Sequence, residues 1–193
     1  MAKRIYTKGG DSGETGLLYG GRVGKDDPRT EAYGALDEAV SALGLARALS
    51  EDARVRAELL ALQRQLFTVG AELATAAEDH AKLVAHFSAV TAQMTSGLEA
   101  AIDALSGEVS LGREFIVPGG SPASAALDLG RATLRRAERR AVALAKAGML
   151  ANPEVLAFLN RASDYLFMLA RYQDRGLPPE PVTPHPARKE HAS

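Results

Sequence analysis

The chain contains no cysteine and no tryptophan, and aromatics make up only 5% of its 193 residues. Without cysteine there is no disulfide framework, no thiolate zinc site and no thiol nucleophile. No apolar run approaches the roughly 20 residues that a bilayer-spanning helix needs. The opening Met1-Ala2-Lys3-Arg4-Ile5 leads into glycine and charge, not into the apolar stretch of a signal peptide. A cytoplasmic protein with no membrane partner is therefore expected. The net charge of −1 gives no general attraction for nucleic acid, so any basic site must be local. What is abundant is alanine, leucine and arginine, which favour helix over strand. A chain of this length suits one domain with a sizeable core.

Apolar spacing of three and four residues predicts five helices. The first starts near Thr30 and buries Tyr33, Leu36, Val40, Leu43 and Ala46. A second, over about 52–77, has Val55, Leu59, Leu62, Leu66, Val69 and Leu73 in phase, and a third, over about 80–105, has Leu83, Phe87, Val90, Met94, Leu98, Ile102 and Leu105. The connection Gly107 to Gly120 breaks the pattern, with an extended run at 114–117 and a sharp turn after it. Ser121 as N-cap and Pro122 as first helical residue open the fourth helix, which continues to about Ala147. Asn152-Pro153-Glu154 opens the fifth, which ends near Arg175. The expected fold is an all-α, five-helix up-down bundle in one domain over 1–175, with a proline-rich, disordered tail over 176–193.

Two helices carry candidate chemistry. Arg131, Arg135 and Arg139 recur every four residues on one face of the fourth helix, with Arg136 and Arg140 beside them. Such a stripe is either a salt-bridged, solvated face or a seat for a polyanion, since arginine's planar donor fork suits phosphate oxygens. Glu138 stands three residues after Arg135, where it can restrain that guanidinium. In the fifth helix Asn160 shares a face with Asp164. Asparagine is a poor interior helix residue, so Asn160 is expected to be a partly buried amide whose partner is a ligand or the next helix. Asp37 and Glu38 are adjacent and point about 100° apart, which rules against a shared acid–base dyad.

In front of the first helix stands Thr7-Lys8-Gly9-Gly10-Asp11-Ser12-Gly13-Glu14-Thr15-Gly16. Glycine here costs chain entropy and adds little burial. In return it offers approachable backbone N–H groups beside hydroxyls and a lysine, the parts of a phosphate cradle. Gly20 to Arg29 reads as a polar loop. Gly24-Lys25 is not the end of a Walker A loop, because Asp26 follows where Ser or Thr is required. None of His80, His86, His185 and His191 has a glutamate three residues before it, which excludes a di-iron bundle site. No general base is evident. That favours chemistry in which the protein positions charge and a bound molecule supplies the nucleophile.

Tyr6-Thr7-Lys8-Gly9-Gly10-Asp11-Ser12-Gly13, Lys25-Asp26-Asp27-Pro28 and Ala32-Tyr33-Gly34-Ala35-Leu36-Asp37-Glu38 resemble the N-terminal signature of PduO-type ATP:cob(I)alamin adenosyltransferases. So do Phe115-Ile116-Val117-Pro118-Gly119-Gly120-Ser121-Pro122, Arg135-Arg136-Ala137-Glu138-Arg139-Arg140 and Phe158-Leu159-Asn160-Arg161-Ala162-Ser163-Asp164-Tyr165-Leu166-Phe167. The blocks follow the family's order and span the chain to about Arg171.

The resemblance implies a homotrimer of helical bundles with ATP and corrinoid bound where subunits meet. It also implies transfer of the 5′-deoxyadenosyl group of ATP to cob(I)alamin, with release of triphosphate. Within it, residues 1–29 form the nucleotide-binding loop. Thr7, Lys8, Gly9, Gly10, Thr15, Gly16 and Lys25 would hold ATP, joined by Arg135, Arg136, Ala137, Glu138, Arg139 and Asn160. Phe115, Arg135 and Arg139 would act in catalysis, Phe115 by packing on the lower corrin face and helping to remove the axial ligand of cob(II)alamin. Asp37 and Arg131 would bridge subunits. Mg²⁺ would ride on the ATP phosphates, with Glu138 in reach. Gly9 stands where the family commonly has Thr, and Val40 where it often has Asn. A cob(II)alamin reductase and an adenosylcobalamin-dependent enzyme are the implied partners. The competing readings are a trimeric corrinoid and ATP carrier without turnover, and an RNA-binding helical module on the Arg131–Arg140 face. Near-neutral charge and the lack of interleaved aromatics argue against RNA.

Overall fold

A computed structural model of the chain describes residues 5–111, 115–178 and 182. It is mostly helical, with α1 (Pro28–Leu49), α2 (Ala53–Leu73), α3 (His80–His86), α4 (Ala92–Ser106), α5 (Pro122–Lys146) and α6 (Glu154–Gln173). Before them lies a two-stranded antiparallel ribbon, β1 (Glu14–Gly16) and β2 (Arg22–Gly24), with Thr15 opposite Val23. Two expectations are thereby corrected. The chain is not purely α, because part of the segment read as polar loop pairs as β2. There are also six described helices, not five.

The extra helix comes from a break in the expected 80–105 helix. Phe87 leaves the helical conformation at φ −135° and ψ −137°. The Thr91 hydroxyl then caps a new start by accepting the N–H of Met94 at 3.4 Å. Between them the Val90 N–H donates to Oε1 of Glu72 at 2.6 Å, an acceptor that continuous helix would not need. Phe87, expected on the buried face, is 55% exposed.

Elsewhere the spacing holds. All six apolar residues expected along α2 are buried, as are Leu36, Leu43 and Ala46 of α1. Each fully buried leucine stabilises the fold by about 1.5–3 kcal/mol relative to exposure. Helix starts are fixed by side-chain caps: Asp27 Oδ1 accepts from Arg29 N at 2.8 Å ahead of Pro28, and Ser121 with Ser124 forms a reciprocal capping box ahead of Pro122. Asn152 Oδ1 accepts the N–H of Glu154 at 3.1 Å.

Pairs between helices set their directions. Glu31 meets Arg140 and Glu38 meets Arg136, so α1 and α5 run antiparallel. Asp128 meets Arg171 and Arg135 meets Ser163, so α5 and α6 are antiparallel as well. The Tyr165 hydroxyl donates to Glu58 Oε2 at 2.8 Å between α6 and α2. Burial first, and then the Glu58 carboxylate, hold that phenol above its usual range, so it remains a donor. The long helices alternate in direction, the up-down arrangement that the short links predict. Among the described residues no helix is long and apolar enough to cross a membrane.

Candidate active site

The glycine-rich segment is a run of turns held by the Arg22 side chain and the Lys25 main chain. Lys8 takes a left-handed conformation at φ 59°, which side chains other than glycine seldom adopt. The Gly9 N–H donates to Thr7 Oγ1 at 3.3 Å, and the Gly9 carbonyl accepts from Arg22 Nη2 at 2.7 Å. Arg22 also pairs with Glu14 across the ribbon at 3.2 Å. At Gly10 a Cβ would stand 3.2 Å from Lys25 Nζ, so the missing side chain is what lets that ammonium lie against the loop. The Lys25 N–H donates to Gly13 O at 2.8 Å, and Thr30 Oγ1 donates to Lys25 O at 2.8 Å. The ribbon is tied to the bundle by Leu18 N–H on Ala74 O at 3.0 Å and by the buried Arg29 on Thr75 O at 2.9 Å. Thr7, Lys8, Gly9, Gly10, Thr15, Gly16 and Lys25 therefore belong to one compact unit. Lys8 and Lys25 make no ion pair among the described residues. Sequence reasoning missed Arg22, whose partners lie on β1 and on the glycine loop.

On α5 the arginines divide. Arg136 and Arg140 pair with Glu38 and Glu31 of α1, the salt-bridged alternative. Arg131 and Arg135 instead line a cavity of about 620 Å³ between α4, α5 and α6, with Arg161, Ser163 and Phe167. Arg135 Nη1 donates to the buried Ser163 Oγ at 3.4 Å. Arg161 is neutralised by Glu99 at 3.0 Å and Asp164 at 2.8 Å. Arg139 is exposed and has no ion pair among the described residues. Glu138 makes no hydrogen bond or ion pair among them either, so the acid expected to restrain Arg135 does not touch it. Ala137 is fully buried in the core. Asn160 is exposed, contrary to the partly buried amide expected. The neighbouring Phe158 and Leu159 supply the buried face, and residue 160 points the other way around the helix.

Phe115 is 86% exposed, so its ring packs little against its own chain. Its carbonyl accepts the N–H of Val182 at 2.9 Å, which brings one residue of the tail back to this segment. Beside it a cavity of about 230 Å³ is lined by Ile116, Val117, Gly120, Arg171 and Leu177. Glu114 and nearly all of the tail beyond Pro178 lie outside the described residues.

No hydrogen bond or ion pair among the described residues joins the glycine loop to Arg131, Arg135 or Arg139. Arg131 pairs with Asp128 of its own helix at 3.5 Å. Asp37, exposed and unpaired among the described residues, rims an apolar groove of about 360 Å³ lined by Leu18, Tyr33, Val40, Phe67 and Phe87. Phe67 is 63% exposed there.

Against this geometry the relatives are informative. A corrinoid adenosyltransferase of Citrobacter freundii is 40% identical over 171 residues, covering 89% of this chain and 95% of the relative. A corrinoid adenosyltransferase of Bacillus subtilis is 44% identical over 176 residues, covering 87% and 85%. In three dimensions the fold superposes, at a TM-score of 0.84 and 37% identity, on a variant of the PduO-type ATP:corrinoid adenosyltransferase from Lactobacillus reuteri complexed with cobalamin and ATP. The match covers 92% of this chain and 98% of that one. Residues 5–173 match the cobalamin adenosyltransferase family. The chain belongs to the cobalamin adenosyltransferase family.

Proposed function

We propose that this protein transfers the 5′-deoxyadenosyl group of ATP to cob(I)alamin, giving adenosylcobalamin and triphosphate. The observation that carries the reading is the set of cations left without acidic partners, Lys8, Lys25, Arg135 and Arg139, in a chain of this family. Cob(I)alamin supplies the electron pair: a cobalt–carbon bond forms at C5′ of the ribose, and the C5′–O bond breaks with its electrons going to triphosphate. No protein nucleophile is needed, in keeping with the lack of an evident general base. The protein aligns the two substrates and stabilises the charge that gathers on the leaving oxygens.

The glycine loop would cradle the phosphates through its backbone N–H groups with Lys8 and Lys25, while Arg135 and Arg139 hold the chain of phosphates from α5. Since no hydrogen bond or ion pair among the described residues joins these halves, the complete site is proposed to form between subunits of a homotrimer. The apolar groove around Phe67 and Phe87 is the surface that a neighbouring copy would cover, with Asp37 meeting Arg131. Among the described residues no group of three histidine or acidic side chains gathers. Mg²⁺ is therefore proposed to arrive on the ATP phosphates, with the unpaired Glu138 as the nearby carboxylate. Arg136, engaged with Glu38, would play a structural part, and the exposed Asn160 would meet the nucleotide. Phe115 would cover the lower face of the corrin.

The test is to mix protein, Mg-ATP and chemically reduced cobalamin and follow the conversion to adenosylcobalamin by absorbance. Product formation at a rate proportional to enzyme is expected. No product at saturating ligands would sink the proposal, and retained ATP binding in that case would identify a carrier.

A further inference from the structure

Arg131 and Arg171 share a single buried carboxylate. Asp128 Oδ2 accepts from Arg171 Nη2 at 2.5 Å, and its Oδ1 lies 3.5 Å from Arg131 Nε. The Phe167 ring flanks both cations, 5.3 Å from Arg171 Cζ and 6.0 Å from Arg131 Cζ. Arg171 is buried, and its Nη2 already pairs with Asp128 between α6 and α5, while its Nε has no hydrogen-bond partner among the described residues. Arg131 is different. Its side chain is 32% exposed, it lines the α4–α5–α6 cavity beside Arg135, and its terminal nitrogens make no hydrogen bond among the described residues.

A buried ion pair is weak evidence for stability, because desolvation offsets most of the attraction and apolar side chains of similar volume do as well. The case for a carboxylate at this position is better made by orientation. One negative charge faces two positive ones, so the cluster retains a positive charge, and Arg131, the more exposed of the two cations, presents it to the α4–α5–α6 cavity. We infer that Asp128 is a positioning residue: anchored by Arg171, it holds the stem of Arg131 at the cavity edge and leaves the two terminal nitrogens free for an acceptor from outside the chain. With the proposed function, on which this last step rests, that acceptor is Asp37 of a second copy.

Two measurements on the full chain test it. The first is the ¹⁵Nε–H signal of Arg131 by NMR, which is expected to be dispersed and ordered in the wild type and to collapse toward the free-arginine position in Asp128→Asn. The second is a cycle of Asp128→Asn, Arg131→Met and the double variant. Asp128→Asn should lower kcat/KM about tenfold alone and less than about twofold in the Arg131→Met background, a non-additivity expected only of coupled neighbours. A purely structural role would lower thermal stability yet leave the Arg131 signal ordered and the two kcat/KM ratios equal, and that result overturns the inference. Should Asp128→Asn fail to fold, Arg171→Lys keeps the charge but loses the planar fork, and the Arg131 signal should again lose order. A wild type without turnover defeats the proposed function, while the NMR signal still decides the role of Asp128.

Discussion

Glu72 accepts the main-chain N–H of Val90 at 2.6 Å although the two residues stand on opposite sides of α3. The same oxygen takes Nδ2 of Asn152 at 2.7 Å, and Oε2 lies 3.1 Å from Nε2 of His80. With its side chain 1% exposed, this carboxylate joins α2, α3, the start of α4 and the α5–α6 link. Glu72→Ala strands the donors of Val90 and Asn152 and should destabilise the fold by about 2–4 kcal/mol. Glu72→Gln keeps an acceptor and should cost less. Urea denaturation of the two variants checks this, and equal losses would show that the acceptor is unimportant.

Glu72 also marks where sequence reading stops. Leucine spacing located the long helices because burial on one face repeats locally, and Ser121-Pro122 located the start of α5 because caps act within a few residues. The α3–α4 break depends on a carboxylate 18 residues upstream of Val90, which periodicity cannot register when Leu83, Val90 and Leu98 stay in phase across the gap. The ribbon was hidden because β1 and β2 are three residues each and glycine-rich, with no alternating pattern. The arginine stripe was legible as a stripe, but its division was not. That depends on Glu31 and Glu38, whose partners are set by the packing of α1 on α5.

That division separates two variants that sequence alone would treat alike. Arg135→Ala removes a cation facing the cavity and should lower kcat/KM for ATP by about 100-fold or more, the usual scale for a charge-stabilising donor. Arg136→Ala breaks an exposed pair with Glu38, worth about 0.2–1 kcal/mol, and should reduce kcat/KM by less than about fivefold. Steady-state kinetics with ATP varied at saturating cob(I)alamin gives both numbers. A loss for Arg136→Ala as large as that for Arg135→Ala would return Arg136 to the binding set.

Phe115 exposes an apolar ring at almost no packing benefit to its own chain, which makes it suited to covering a ligand. If it helps to strip the lower axial ligand from cob(II)alamin, Phe115→Ala should lose far more activity with cob(II)alamin and a reductant than with chemically prepared cob(I)alamin. Thermal stability should hardly change. Equal loss in both assays would assign Phe115 to corrin binding alone.

Asp52 caps α2. Burial pushes its carboxyl up, but this is outweighed by hydrogen bonds from the Val55 N–H, Arg175 and the Arg54 N–H, so it sits below its usual range. A carboxyl depressed in the folded state binds its proton more readily when unfolded. Its contribution is therefore present above the unfolded pKa of about 3.9 and is lost as pH falls through the folded value. Asp52→Ala should cost about 1 kcal/mol near neutrality, as other N-caps do. The gap from wild type should narrow as pH is lowered from 6 to 3. Denaturant midpoints across that range test the sign, and a gap that widens in acid would contradict it.

Gly130 decides how closely α5 approaches α1. A Cβ on it would lie 2.6 Å from Leu43 Cδ2, closer than real Cβ contacts come, and 3.3 Å from Leu43 Cγ, tighter than most. On an exposed helix Gly→Ala stabilises by roughly 1 kcal/mol. Here the overlap should reverse the sign and cost about 1–3 kcal/mol, the usual penalty of overpacking. The two effects can be separated with Leu43. Leu43→Ala alone opens a cavity and should destabilise by about 2–5 kcal/mol, but in that background Gly130→Ala gains room and should become neutral or stabilising. Because α1 also carries Glu31, Glu38 and Asp37, a forced separation of the helices should weaken the pairs to Arg136 and Arg140 and displace Asp37 as well. Gly130→Ala alone should thus lower activity together with stability, and Leu43→Ala/Gly130→Ala should recover part of both relative to Leu43→Ala. Additive losses in the double variant would mean that the helices do not touch at this crossing.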